Sequence, residues 1–94
     1  MDMEARLTTV EWNGRPVETR VMLEPVGERL YVRTTGAADW VVRLWNKPAV
    51  VVVPCDRLGR PRGEPRPSRA RVLPGDGDEL LIELLPTNGN GRPA

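Results

Sequence analysis

At 94 residues the chain is one small domain, near the lower limit for a self-sufficient core. It has no histidine and one cysteine, which excludes Ser-His-Asp and Cys-His nucleophile systems, His-ligated zinc or haem, and an internal disulfide. A net charge of +1 excludes a nucleic-acid polycation, and no apolar window is long enough for a signal-peptide core or a membrane span, so a cytoplasmic protein without a membrane partner is expected.

In chain order, Leu7 to Trp12 reads as a strand and Val17 to Leu23 as a second. In the second, Val17, Thr19, Val21 and Leu23 alternate with Glu18, Arg20 and Met22. Asn13-Gly14 between them is a strong hairpin signal, because both residues tolerate positive φ. A turn over Pro25 to Glu28 leads into a third strand, RLYVRT, with Leu30 and Val32 on one face.

The period then changes. Asp39 reads as an N-cap, Trp40, Val41, Leu44 and Trp45 share one helical face, and Lys47-Pro48 ends the helix. At helical spacing both tryptophans read as core. Ala49 to Val53 is an unbroken apolar run, the pattern of a strand covered on both faces. Cys55 to Ser68 is a loop by composition, with six arginines against one glutamate from Arg57 to Arg71. Its stretch from Arg57 to Pro67 is expected to be the most mobile internal segment.

Ala70 to Leu73 gives a fifth strand, Gly75-Asp76-Gly77 a turn, and Asp78 caps a short helix over Glu79 to Leu85. Residues 1–86 therefore form the domain and 87–94 a disordered tail. The fold class is mostly β: a small antiparallel split β-barrel with one helix between strands three and four and a short C-terminal helix. Five strands leave open edges, so a homodimer is expected, with the Val50 to Val53 strand in its interface.

Three stretches, LTTVEWNGRPVETRVML, GERLYVRTTGAADWVVRLWNKPAVVVVPCDRLGRPRG and ARVLPGDGDE, together resemble one family. They are similar to the split-barrel flavin and deazaflavin oxidoreductases related to pyridoxamine 5′-phosphate oxidase, in particular the branch that uses coenzyme F420. Arg33-Thr34, Arg43-Leu44, Pro48, Val50 and Pro54-Cys55-Asp56-Arg57 with Gly59-Arg60 carry the resemblance. It implies F420 or FMN as cofactor, a small-molecule substrate, and hydride transfer, which needs binding and orientation more than acid–base side chains. It also implies Arg33, Thr34, Thr35 and Arg43 at the cofactor phosphate, with Val21, Met22, Pro54, Cys55 and Asp56 along the ring. Trp40 stands where such chains place a phosphate-gripping lysine. The helix before the first strand and the closing helix and strand of such chains find no counterpart here. The resemblance therefore implies a shortened member, or one that has lost its cofactor.

Each feature also has a plainer reading. Arg33 to Thr35 fit an ordinary edge strand, Arg43 a solvated helix face, and the arginine loop a solvated loop. Cys55 beside Asp56 fits a small buried packing residue better than a redox thiol. The alternatives to an oxidoreductase are a non-catalytic binding or structural barrel, and a barrel binding single-stranded nucleic acid. The last ranks lowest, because no aromatic side chain interleaves with the loop arginines.

Overall fold

The computed structural model describes residues 3–87. Seven elements follow in order: β1 (Met3–Val10), β2 (Pro16–Val26), β3 (Arg29–Thr35), α1 (Asp39–Asn46), β4 (Ala49–Pro54), β5 (Arg66–Pro74) and β6 (Glu79–Pro86). The strands close into an antiparallel barrel in the order β1-β2-β3-β6-β5-β4, with β4 pairing back onto β1 through Ala5↔Pro54 to Thr8↔Val51.

Alternation sets the inside. Ala5, Leu7, Val21, Leu23, Val32, Val50, Val52, Ala70, Ile82 and Leu84 are buried, all of small or medium size. A narrow barrel has room for little more. One end is plugged by α1, whose Trp40, Val41 and Leu44 join the same core. β2 pairs with β1 along its length but with β3 only over Glu24↔Tyr31 to Val26↔Arg29, so the wall splits between the first half of β2 and the second half of β3.

Several expectations change. Glu79 to Pro86 is a strand, not a helix, and it supplies the sixth member that closes the barrel. Its leucines and the Glu79, Glu83 spacing mimic helical periodicity. In the sheet, Ile82 and Leu84 point inward, while Glu83 lies outward between Tyr31 and Arg71. The fifth strand begins at Arg66 rather than Ala70. Asp39 is in the first turn of α1, where its charge favours the helix dipole, and the cap position is Ala38. Trp40 is core as expected, whereas Trp45 is 71 % exposed on the opposite helix face with Val42.

In the first hairpin only Gly14 takes positive φ (89°). Asn13 instead accepts the Arg15 N–H on its side-chain oxygen at 3.0 Å, a local turn of its own. β4 is flanked by partners on both edges; Val50 and Val52 are buried inward, while Val51 and Val53 are half-buried outside. Thr87 is tied to the barrel by its N–H to the Pro67 carbonyl, and the rest of the expected tail lies outside the described residues. No helix among the described residues is long and apolar enough to cross a membrane.

Outside the barrel one carboxylate is almost completely covered. Glu83 is 1 % exposed; its Oε2 accepts from Arg29 Nη1 at 2.8 Å and from the Tyr31 hydroxyl at 3.0 Å, and Arg71 Nε lies 3.8 Å from Oε1. Burial alone pushes this carboxyl upward, but the Arg29 and Tyr31 hydrogen bonds and the charges of Arg29 and Arg71 outweigh it and hold the group below its ordinary 4.5. A depressed folded value stabilises the fold above pH 4.5, and that stability is lost as the pH falls further. Glu83→Gln should therefore cost about 1–3 kcal/mol at neutral pH. It should also flatten the acid limb of a thermal-melting profile against pH, and a variant with an unchanged acid limb would contradict this clamp. Trp40→Lys places an ammonium in the core and should cost about 3–5 kcal/mol, the range for losing a buried tryptophan, read from denaturant melts.

Candidate functional site

The C-terminal end of β4 meets the start of β1, and the loop beyond Pro54 folds back over both. Residues Cys55 to Arg62 form a tight unit. Asp56 N–H donates to the Arg60 carbonyl at 3.0 Å, Gly59 N–H to the Asp56 carbonyl at 2.9 Å, and Arg62 N–H to the Pro54 carbonyl at 2.7 Å. The Asp56 carboxylate accepts from the backbone N–H groups of Leu58 and Arg60, each at 2.9 Å, and from Arg60 Nε at 2.8 Å. The Arg60 backbone N–H, with the Arg60 side chain, the Leu58 N–H and the Arg62 charge, outweighs burial and holds this carboxyl below its ordinary 3.8.

The loop is also fastened to the outer face of the sheet. Arg20 Nη1 donates to the Arg57 carbonyl at 3.1 Å and to Glu4 Oε2 at 2.9 Å, and Arg6, paired with Glu18, reaches the Gly59 carbonyl. The loop is exposed, as a solvated loop is expected to be, and from Cys55 to Arg62 it is also internally hydrogen-bonded. Gly59 sits at φ 83°, and a β-carbon there would lie 2.6 Å from Arg20 Nη2. Gly59→Ala should therefore displace Arg20, cost about 1–2 kcal/mol through the left-handed backbone, and speed amide exchange at Leu58 and Arg60. Unchanged exchange there would show that the Arg20 contact does not fasten the loop.

Between this loop and the start of β1 lies a cleft of about 730 Å³. Its apolar surface comes from Met3, Pro54 and Leu58, with Cys55 buried beneath and Arg57, Arg60 and Arg62 around it. Arg60 is paired with Asp56, while Arg57 and Arg62 make no ion pair with a described residue. An apolar floor under unpaired guanidinium groups suits a planar ring carrying an anionic substituent.

The expected site residues divide between the two ends of the barrel. Pro54, Cys55 and Asp56 line this cleft, and exposed Met22 is the register partner of Glu4, another of its walls. Val21 faces inward and belongs to the core instead. The phosphate set lies at the other end, where β3 runs toward α1. Arg33 is held by Glu24 at 2.6 Å and Glu79 at 2.8 Å. Thr34 pairs with Leu80 in the wall, and Thr35 borders a separate shallow depression with Gly77 and Asp78. Arg43 Nε donates to the buried Thr9 hydroxyl at 2.7 Å. Trp40, at the position of the expected lysine, is in the core.

Within one chain, then, Arg33 is ion-paired to two wall carboxylates and Arg43 is hydrogen-bonded to the wall hydroxyl of Thr9. Sequence reasoning missed Arg6 and Arg20 as loop anchors and Met3 and Leu58 as cleft surface. The β2 alternation carried part of that signal, since it places Arg20 on the same outward face as Met22.

No protein-family model and no curated protein matches this sequence. Solved structures do. An "F420 Reductase" superposes with a TM-score of 0.68 at 20 % identity, covering 92 % of this chain and 87 % of its own. A putative pyridoxamine 5′-phosphate oxidase from Listeria innocua gives 0.73 at 12 % identity, with 92 % and 85 % covered. A heme storage protein from Vibrio cholerae gives 0.74 at 16 % identity, with 93 % and 83 % covered. Fold likeness at such identity carries architecture rather than activity: this chain has the split β-barrel fold of the proteins its sequence resembles.

Proposed function

We propose that the barrel binds a flavin-type cofactor, FMN or the deazaflavin F420, and serves hydride transfer to a small organic acceptor. The observation that carries this reading is the cleft at the end of β4, where Met3, Pro54 and Leu58 offer an apolar surface under the unpaired Arg57 and Arg62. The bound cofactor would supply the redox chemistry. The chain's part is to seat the ring against Pro54 and Leu58, to keep water from that face, and to hold an anionic substituent at Arg57 and Arg62. The sequence resemblance and the fold shared with an F420 reductase support the same reading.

A homodimer belongs to it. Met3, Met22, Val26 and Leu58 are exposed apolar side chains at the cleft end, and a second copy seated there would enclose a ring that one chain leaves open. The second reading, a non-catalytic binding or structural barrel, is favoured by one finding: Arg33 is doubly ion-paired and Trp40, at the position of the expected lysine, is buried.

Titration with FMN and with F420, followed by cofactor absorbance and by sedimentation, separates the readings. Binding should be saturable and salt-sensitive. Arg57→Ala and Arg62→Ala should each weaken it by about tenfold, the order of one charged hydrogen bond. Arg33→Ala should change it little. A monomer that binds neither cofactor would leave the barrel as a scaffold.

A further inference from the structure

A second cleft, of about 320 Å³, lies on the outer face of β1, β4 and β5, toward the end that α1 plugs. Register builds it. Thr8, Val51 and Pro67 are neighbours across three strands, and Ala49 faces Arg69 in the next row. The Ala70 N–H continues the ladder to the Pro48 carbonyl at 2.8 Å, which carries extended Lys47 alongside β5. Thr87 closes the side through its N–H to Pro67.

Among the described residues, the charges of this cleft are all of one sign. Lys47 and Arg69 line it, no described carboxylate does, and neither cation makes an ion pair or a side-chain hydrogen bond with a described residue. Arg6, Arg20, Arg29, Arg33, Arg60 and Arg71 are matched by carboxylates elsewhere on the barrel, whereas these two cations stand side by side without one. Thr8 and Thr87 also line it, neither hydroxyl bonded to a described residue, and Val10, Val51 and Pro67 supply apolar lining.

We infer that this cleft binds a phosphate monoester with a small apolar body. Two cations match the two charges of such a group. Lysine, the branched guanidinium and two hydroxyls offer more donors than the two oxygens of a carboxylate can use. The apolar floor has room beside them for a body of about ring size. This site is distinct from the Arg57 to Arg62 cleft and does not depend on a cofactor being held there.

The test is a titration of the ¹⁵N-labelled protein with phenyl phosphate, inorganic phosphate and benzoate, against sodium chloride at matched ionic strength. Phenyl phosphate should give saturable shifts at Thr8, Val51, Arg69 and Thr87, and should bind at least about threefold more tightly than inorganic phosphate because it covers the floor. Lys47→Gln and Arg69→Gln should each weaken it by about tenfold, and Arg69→Lys by less. Both residues are exposed, and the spectrum of each free variant reports whether it is folded. Shifts equal to those of chloride, shifts confined to Leu58 to Arg62, benzoate binding as tightly as phenyl phosphate, or variants that bind like the wild type would each overturn the assignment.

Discussion

The pairing of β4 with β1 is the contact on which the rest of the molecule depends. Without it the six strands are an open sheet with two edges and two wettable faces; with it there is an inside and an outside. Closure at this strand number leaves a narrow interior, and the chain fills it with valine, leucine, isoleucine and alanine and no phenylalanine. The one large core side chain, Trp40, enters from the end on α1 rather than from the wall. The same pairing brings Pro54 beside Ala5, so the loop leaving β4 has the start of β1 to fold against. Both clefts described above are consequences of that seam.

With no charged side chain in the barrel core and only Thr9 and Ser68 as buried polar residues beside it, the outer face carries the electrostatics. Most are spent on the fold. Arg29, Tyr31 and Arg71 cover Glu83, Arg33 bridges Glu24 and Glu79, and Arg20 joins Glu4 to the loop backbone. Exposed ion pairs of this kind contribute little singly. Glu83 differs because its carboxylate is desolvated, so removing a partner leaves a buried charge rather than a hydrated one. The strand that sequence periodicity assigned to a helix is therefore the one whose outward residue most needs its sheet neighbours.

Local signals carried the alternating strands, the Asn13-Gly14 turn and α1, since each depends on residues within a few positions. β6 was misread because ELLIELL satisfies a helical period as well as a strand period, and only the vacant place between β3 and β5 decides between them. The loop hid its internal order for a related reason. Its prolines, glycines and like charges predict solvation, yet Asp56 organises it through short-range hydrogen bonds, and Arg6 and Arg20 arrive from strands far away in sequence. The resemblance points to Pro54, Cys55 and Asp56, which line the cleft beyond β4. Arg33 and Arg43, which it assigns to a cofactor phosphate, hold wall residues within this chain, and a cation is freer to meet a ligand when the fold has not already paired it.

That criterion sorts the arginines more usefully than their positions do. A guanidinium held by two carboxylates, as at Arg33, has much of its fork and its charge already committed, and drawing it toward another anion weakens its hold on those partners. Unpaired cations carry no such cost. Among the described residues, Arg57 and Arg62 line a cleft on one side of the β1–β4 seam, and Lys47 and Arg69 line another on the other side, each together with apolar side chains. The seam that closes the core thus also sets unpaired cations beside apolar surface along its outer face, the combination on which both proposed sites rest.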